Sequence, residues 1–389
     1  MANGVWRKFT VSNSIADLEI DDGVETESEL AEPNLEHIAD PFNPLDIKIS
    51  RRVITVEQIV RRIRHHEIDL APDFQRRARV WDIIRKTRLI ESVLLRIPLP
   101  VFYFSESDSD EWQVVDGLQR LTTLSDFMGA DDHKFKLRGL EYLSEYEGFH
   151  YEELPRSIIR RIDETELNVN IIEFGTPDEV MFNIFRRLNT GGMTLNAQEI
   201  RHAINPGHAR NFLLNLAESR EFLDATDGSI KDHRMAAREL ALRYLAFTIT
   251  PHFEYESADL HGFLNHAMRL LNGSNREALA SLEAQFKLSM VRSKSLFGNQ
   301  AFRKPSLEQP GRNPINRALF ESVAVGVGKI SDERFQNIMH HRDEFFQQYL
   351  DLFRFEEEFI ASISQSTGSI SRVHTRFETI NQLFSRATL

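Results

Sequence analysis

The residues best suited to chemistry stand in one short polar segment, Asp116-Gly117-Leu118-Gln119-Arg120, between an apolar strand and a helix. Asp116 could cap that helix while Gln119, three residues later, reaches back in a capping box. Arg120 has no such explanation, because a cation in the first turn faces the positive end of the helix dipole. It therefore requires a nearby anion, which could be a carboxylate from elsewhere in the chain or a phosphate drawn to the free N–H groups of the helix.

A second polar segment, Asp73-Phe74-Gln75-Arg76-Arg77, lies between two predicted helices. Paired arginines in a loop are often simply solvated. Arg76 could equally provide the planar, bidentate fork that phosphate binding favours. The sequence leaves both interpretations open.

A third segment, residues 185–204, reads FRRLNTGGMTLNAQEIRHAI. It is typical of a helix–turn–helix corner, in which the two glycines end one helix and Asn196 caps the next in a box with Glu199. Arg187 suits the C-terminal turn of the first helix, where the dipole favours a cation. The polar side chains left over around this turn are Asn189, Thr190, Glu199 and Arg201.

The composition and the motifs exclude several kinds of site. The chain has no cysteine, which rules out disulfides, cysteine-ligated zinc and thiol nucleophiles. The stretch VGVGKIS is not a P-loop, since it lacks the first glycine and the Ser or Thr after the lysine. The adjacent histidine pairs point different ways on a helix and are poor metal ligands. We predict no metal site built from protein side chains alone.

Three segments taken together resemble the N-terminal domain of GmrSD-type restriction endonucleases: DFQRRARVW…LIESVLLRIPLPVFYF, VVDGLQRLTTL and FRRLNTGGMTLNAQEIR. They occur in the family's order and at its typical spacing over residues 50–205. The family is related to the ParB/sulfiredoxin fold. The resemblance implies an α+β fold class, with a ParB/sulfiredoxin-like N-terminal domain followed by a mostly α-helical domain, as in stand-alone members.

The resemblance also implies a nucleoside triphosphate ligand with Mg²⁺, which the protein could hydrolyse. The implied catalytic residues are Asp116, Gln119 and Arg120. Asp116 would orient a metal-bound water, Gln119 would position water or a phosphate oxygen, and Arg120 would neutralise phosphate charge. The implied nucleotide-binding residues are Gln75, Arg76, Gly117, Thr122, Arg187, Asn189, Glu199 and Arg201.

The sequence departs from the family at one motif position. The family box usually reads Asp-Gly-Gln-Gln-Arg, and here Leu118 replaces the first glutamine. If that glutamine contacts the nucleotide or water, turnover is weak or lost. Many relatives also carry a His-Asn-His nuclease domain, and no segment here resembles one. We therefore expect that this chain alone is not a nuclease of that type.

We expect a role in defence against foreign DNA or in nucleic-acid-linked regulation. Two alternatives stay open: a non-enzymatic DNA-binding or adaptor module, in which the box is structural, and a ParB-like nuclease. The expected partners are a nucleotide and either DNA or a separate nuclease subunit, and the chain could form an oligomer. No apolar run is long enough to span a membrane, so we expect a cytoplasmic protein without a membrane partner.

The charge is distributed unevenly. The formal net charge is −12, but residues 17–40 hold ten acids and no Lys or Arg, which leaves −2 for the rest. This part has little apolar surface to offset the entropy of ordering, so residues 1–44 are predicted to be a disordered acidic arm. Residues 48–96 carry thirteen Lys or Arg against six acids. That excess is either a solvated basic face or a docking surface for phosphate or for the arm.

Two domains are predicted to follow the arm. Residues 45–205 mix short strands with helices and would form the nucleotide-binding domain. Residues 206–389 are almost wholly helical in pattern. A loop at 298–314 interrupts them, because that stretch is rich in Gly, Pro and Asn.

Local signals predict where the elements begin. Thr55 and Gln58 form a capping box, and Asp82 is the predicted N-cap of a second helix. Thr176 before Pro177 predicts the start of another helix. Alternating or apolar residues predict strands over 101–106, 112–116 and 166–174.

Overall fold

A computed structural model describes residues 23–25, 48–70, 81–106, 111–129, 133–188, 196–305 and 313–386. Within these ranges, the side chains of residues 69, 178–179, 186–188 and 233 are not described. The described residues form a five-stranded mixed sheet with helices on both faces, followed by a helical region. The predicted α+β class is confirmed.

The strands are β1 (Ile49–Thr55), β2 (Ile68–Asp69), β3 (Phe102–Glu106), β4 (Trp112–Asp116) and β5 (Glu166–Ile172). The sheet has the order β1–β5–β3–β4–β2. β1 pairs antiparallel with β5, and β3 with β4, whereas the β3–β5 and β2–β4 pairs are parallel. The three predicted strands are confirmed as β3, β4 and β5. Asp116 is the last residue of β4, so this strand ends at the candidate segment.

The two edge strands of the described sheet differ in length. β2 has only two residues. β1 has seven, and it exposes the side chains of Arg51, Arg52 and Val53. A short or charged edge is a common way to keep a sheet from pairing with another chain.

Four helices cover one face of the sheet: α1 (Val56–Arg64), α2 (Ile83–Leu94), α3 (Leu118–Phe127) and α4 (Arg156–Asp163). The predicted starts of the first two are confirmed. Thr55 and Gln58 form the reciprocal capping box of α1, and the Asp82 carboxylate accepts the Arg85 N–H at 2.8 Å. The buried residues of this core include Ile59, Ile90, Leu121, Ile162 and Val169.

Two further helices, α5 (Asp178–Leu188) and α6 (Ala197–Ile204), pack against the other face. Successive strand residues point to opposite faces. Val114 accordingly lies in the first core, whereas Val115 lies in a second core with Phe182 and Ile200. Both faces of β4 are therefore covered up to the residue before Asp116.

The predicted Thr176 cap of α5 is wrong by one residue. The first helical N–H, that of Met181, binds the Pro177 carbonyl at 3.0 Å, and the helix begins at Asp178. The Thr176 hydroxyl instead donates to the Glu173 carbonyl at 2.9 Å. It closes the turn that leaves β5.

The helical region packs around a separate hydrophobic core. Its helices are α7 (His208–Ala217), α8 (Arg220–Thr226), α9 (Ala236–Ile249), α10 (Leu260–Gly273), α11 (Arg276–Phe297), α12 (Arg317–Lys329), α13 (Asp332–His340), α14 (Arg342–Phe355), α15 (Glu357–Ser362) and α16 (Ile370–Arg386). The predicted loop at 298–314 is confirmed where it is described, as a single turn and an isolated bridge between Arg303 and Ile315. In the described part of the chain, no helix is both long and apolar enough to cross a membrane.

An ion pair joins α2 to α3 inside the sheet domain. Lys86 Nζ lies 2.6 Å from Asp126 Oδ2, and the Asp126 side chain is fully buried. The ammonium also lies 5.5 Å from the centre of the Phe135 ring. A carboxylate that has left water needs such a cation to offset its lost hydration.

Replacing Lys86 with Met should lower the free energy of unfolding by about 3 kcal/mol, since it removes a cation from a buried carboxylate. The matched control is Lys287→Met, which breaks an exposed pair with Glu283 on α11. That change should cost under about 0.5 kcal/mol. Urea denaturation of the wild type and both variants measures the difference, and equal losses would contradict the role given to the buried pair.

Candidate functional site

The candidate segment lies where β4 ends and α3 begins. The predicted capping box is wrong, because Gly117 and not Asp116 directly precedes the helix. The Asp116 carboxylate accepts an Arg120 N–H at 3.0 Å, and Gln119 Oε1 accepts the Trp81 backbone N–H at 3.4 Å. Since Gly117 has no side chain, the residue before α3 cannot cap the first N–H groups of the helix.

Both backbone conformation and space require a glycine at position 117. Its φ of 100° lies in the left-handed region that other residues rarely adopt. A Cβ there would lie 2.5 Å from Cδ1 of Phe102 and 3.3 Å from Nη2 of Arg120. The glycine lets the chain turn from strand to helix beside the Phe102 ring.

The Arg120 guanidinium is held by four groups. It donates to the backbone carbonyls of Pro100 and Val101, the second at 3.2 Å, as well as to Asp116. It also lies over the Phe102 ring, 4.2 Å from the ring centre. These contacts leave 11% of the side chain exposed.

The contacts of Arg120 offset the unfavourable interaction between its positive charge and the positive end of the helix dipole. The anion that the sequence requires is the Asp116 carboxylate, one helical turn earlier. Burial lowers the pKa of Arg120, and the neighbouring Asp116 carboxylate acts against that shift. Arginine nevertheless stays protonated in proteins. The anion is thus a carboxylate, although it belongs to the same segment and not to another part of the chain as predicted. A phosphate at the same place stays a prediction.

A ligand could reach only part of this segment. Asp116 keeps 37% of its side chain exposed. Leu118 packs against the core beneath the sheet, and Thr122 is buried, with a hydroxyl that has no hydrogen-bond partner among the described residues. Of the described groups at this junction, the Asp116 carboxylate and the first turn of α3 are therefore those that a ligand could reach. Within the described ranges, no cluster of three or more His, Cys, Asp or Glu could hold a metal ion.

In the third segment, Glu199 connects α6 to the helical region. The predicted capping box is confirmed, with both Asn196–Glu199 hydrogen bonds at 2.8 Å. Arg234 approaches from the helical region and places Nη2 3.0 Å from Glu199 Oε2. The Asn196 amide donates to the Arg234 carbonyl at 2.8 Å. The Glu199 carboxylate is fully buried in these contacts.

Arg201 makes a second polar connection between the same parts. It is buried and donates to Gln198 Oε1 and, at 3.2 Å, to Nδ1 of His261 on α10. Because a guanidinium can only donate, Nδ1 of His261 must be the accepting nitrogen. The ring also stacks on Phe182, with the centres 4.9 Å apart. Burial, and then the charge of Arg201, lower the pKa of His261 to about 4.

The structure places described residues of the first and third segments around one hydrophobic core. Val115 and Ile200 belong to one hydrophobic core, so α6 lies near the end of β4. The contacts given above for Glu199 and Arg201 are with Asn196, α6 and the helical region. They have no residue in common with the contacts given for Asp116 and Arg120.

The remaining predicted site residues lie outside the described parts. Gln75, Arg76 and Asn189 are in undescribed segments, and Arg187 lies on α5 with its side chain undescribed. A site shared by all three segments therefore stays a prediction.

The sequence did not reveal the partners that fix Arg120 and Arg201. The carbonyls of Pro100 and Val101 and the Phe102 ring lie just before and at the start of β3, where the pattern indicated only a strand. His261 is sixty residues from Arg201. The one available signal was the pair of arginines that local capping could not explain.

Comparison with known proteins confirms the family resemblance. Residues 56–205 match the family model described as the GmrSD restriction endonuclease, N-terminal domain. The match begins with α1 and ends directly after α6, so it includes Asp116, Arg120, Glu199 and Arg201. No curated protein matches the chain.

Gly117→Ala should destabilise the protein more than Gly228→Ala. Gly228 also has a positive φ, 57°, but nothing lies within 4 Å of the place its Cβ would take. Alanine at 228 should cost about 1 kcal/mol of left-handed strain. At 117 the contact with the Phe102 ring adds to that strain, for a total of about 2–4 kcal/mol. Chemical denaturation of both variants tests this, and equal losses would refute the ring contact.

His261 should make the protein less stable in mild acid. Its folded-state pKa of about 4 lies below the ordinary value of 6.5. The stability that depends on the neutral ring is therefore complete above pH 6.5 and is lost as the pH falls toward 4, by up to about 3 kcal/mol.

The variant His261→Gln should flatten this pH dependence, because glutamine does not titrate. The exposed His133→Gln is the matched control and should leave the slope unchanged. Denaturation curves at pH 7, 6, 5 and 4.5 measure the effect. A slope that survives in His261→Gln would show that another group is responsible.

Proposed function

We propose that residues 56–205 bind a nucleoside triphosphate with Mg²⁺ at the junction of β4 and α3. We further propose that the chain acts in defence against foreign DNA or in nucleic-acid-linked regulation. The defence role is supported by the match to a restriction endonuclease N-terminal domain. The nucleotide site is supported by the motif and by one geometric feature, the half-exposed Asp116 carboxylate beside the first turn of α3.

The proposed site combines a helix start with a carboxylate. Phosphate oxygens would accept hydrogen bonds from the N–H groups in the first turn of α3, where the helix dipole is positive. The missing Cβ of Gly117 would allow them to approach closely. Mg²⁺ is usually held by phosphate oxygens and one or two carboxylates, and Asp116 would supply one.

In this proposal Arg120 positions Asp116. Its guanidinium is fixed by two carbonyls and an aromatic ring and holds one carboxylate oxygen, Oδ2, at 3.0 Å. Because this hydrogen bond fixes the carboxylate group, it also orients the other oxygen of Asp116, Oδ1. A fixed carboxylate binds a metal ion with less loss of entropy than a mobile one.

Binding with slow turnover is the form of activity that we propose. The side chain of Leu118 packs against the core, so a hydrocarbon stands where the family usually has a glutamine. The side-chain oxygen of Gln119, Oε1, accepts a hydrogen bond from the Trp81 backbone N–H. Fewer side-chain amide groups would therefore be available at this junction to position a water molecule than in the usual family box.

A nucleic-acid-binding adaptor is the second candidate. The supporting observation is a set of exposed cations on β1 and α1, which could contact a phosphate backbone. These residues are Arg51, Arg52, Arg61 and Arg64. An adaptor of this kind should bind DNA in a salt-dependent way that nucleoside triphosphates leave unchanged.

Calorimetric titration of ATP, GTP and CTP with Mg²⁺ tests the proposed site. The variant Asp116→Asn keeps an oxygen that can accept from Arg120 but removes the charge. It should bind nucleotide about 10- to 100-fold more weakly, the scale of a lost contact to a charged group. Asp82→Asn is the matched control, since asparagine is as good an N-cap as aspartate.

Three outcomes of this titration matter. Tight binding to the wild type and to Asp82→Asn, with loss in Asp116→Asn, would support the site. Equal affinity for all three would refute the role of Asp116. No binding of any nucleotide, together with salt-dependent DNA binding, would favour the adaptor.

A further inference from the structure

Three residues of the predicted acidic arm, 23–25, lie against the helical region. The Glu25 N–H donates to the Ile315 carbonyl at 2.7 Å, and the Ile315 N–H donates to the Gly23 carbonyl at 3.1 Å. Val24 and Ile315 thus form a parallel bridge, and Val24 packs on the helical core. This isolated bridge uses the same kind of main-chain hydrogen bonds with which an extended peptide adds to a sheet edge.

Glu25 is bound through both its side chain and its backbone. Its carboxylate oxygens lie 2.6 Å from Lys304 Nζ and 2.8 Å from Asn316 Nδ2. The Glu25 carbonyl accepts an Arg317 N–H at 2.8 Å. Glu25 therefore contacts two cations and one amide. A carboxylate that is only solvated at the surface has no such set of protein partners.

Gly23 adds a size requirement. Its φ is 75°, and a Cβ at this position would lie 2.0 Å from the Ser229 carbonyl oxygen. The obstacle is backbone, so it cannot move aside as a flexible side chain could. The surface thus selects a glycine, followed by an apolar residue and then an acid.

The surface that receives Glu25 is anchored in the interior of the helical region. Arg317 Nε lies 3.4 Å from Glu239 Oε1, and Glu239 in turn pairs with Arg243 at 3.0 Å. Arg243 also approaches Glu321, the partner of the buried Arg376. Burial would raise the pKa of Glu239, but Arg317, Arg243 and Arg201 together lower it to about 2.

We infer that Ser229, Lys304, Ile315, Asn316 and Arg317 form a recognition site for an extended acidic segment, which we call the arm seat. Its ligand is this chain's own segment Gly23–Glu25. The inference does not depend on nucleotide binding, because it concerns another part of the molecule. It also gives a location to three residues of the acidic arm, which charge balance alone could equally have placed on the basic excess of residues 48–96.

The chain around the docked residues favours binding within one molecule. Residues 26–47 connect Glu25 to the start of the sheet domain, a span that could reach roughly 75 Å if extended. A ligand tethered by a linker of this kind has an effective concentration in the millimolar range. A second acidic segment would therefore have to compete with the arm.

A fluorescent peptide of residues 17–32 tests the arm seat on the full-length chain. In the wild type the seat is occupied, and the peptide should bind weakly. The double variant Gly23→Val with Glu25→Lys releases the seat, and its affinity for the peptide should rise at least tenfold. Adding Lys304→Glu to that variant should remove the gain. Fluorescence anisotropy measures all three.

Two controls separate recognition from general attraction between charges. Glu29→Lys makes the same charge change within the acidic stretch and should leave peptide binding as weak as in the wild type. A peptide carrying Gly23→Val should fail to bind the released seat. The charge exchange Glu25→Lys with Lys304→Glu should protect the arm from protease better than either single change.

Several results would overturn the inference. Equal peptide affinity for the wild type and the released variant would show that the seat does not select the arm. Equal binding of the peptide with valine at position 23 would leave only electrostatic attraction. A wild-type dimer that becomes a monomer on Glu25→Lys, seen by light scattering, would show that the ligand comes from a second copy.

Discussion

The Arg120 guanidinium ties together the residues before β3, the end of β4 and the first turn of α3. Its position is unfavourable for a cation, and a carboxylate, two carbonyls and an aromatic face offset that cost. Gly117 is required beside the same ring. The placement of the Asp116 carboxylate follows from this arrangement, so any ligand chemistry at the junction depends on Arg120 even if Arg120 never touches the ligand.

Two polar residues of α6, Glu199 and Arg201, connect the sheet domain to the helical region. Glu199 meets Arg234, and Arg201 meets His261, so two side chains of the matched segment are bound to the helical region. Hydrogen bonds require a particular distance and direction, and a buried one is costly to break. These contacts fix the orientation of the helical region relative to the sheet. A change in either part should therefore be felt in the other.

The sequence could predict the local features and not the distant ones. The caps at Thr55, Asp82 and Asn196 involve residues three positions apart, and all three are present. The capping box predicted at Asp116 was wrong, because the turn at Gly117 depends on Phe102 and on carbonyls that precede β3.

The same limit applies to the arm and to the candidate site. Composition predicted an acidic arm without structure, but a contact between Glu25 and Lys304 depends on how far-apart residues meet in the fold. The family motifs were recognisable because they are short and ordered along the chain. The predicted shared site includes Gln75, Arg76 and Asn189, which lie outside the described ranges, so it stays a prediction.

The edge strand β1 matters for how the protein behaves at high concentration. An open strand edge can pair with the same edge of another molecule and begin aggregation. Val53 is 61% exposed on this strand and offers apolar surface to such a partner, while Arg51 and Arg52 would repel it. That repulsion reaches about 10 Å in 0.1 M salt but only about 3 Å in 1 M salt. Among the described residues, the feature of β1 that opposes self-pairing is therefore its charge and not its length, and concentrated salt would weaken that repulsion.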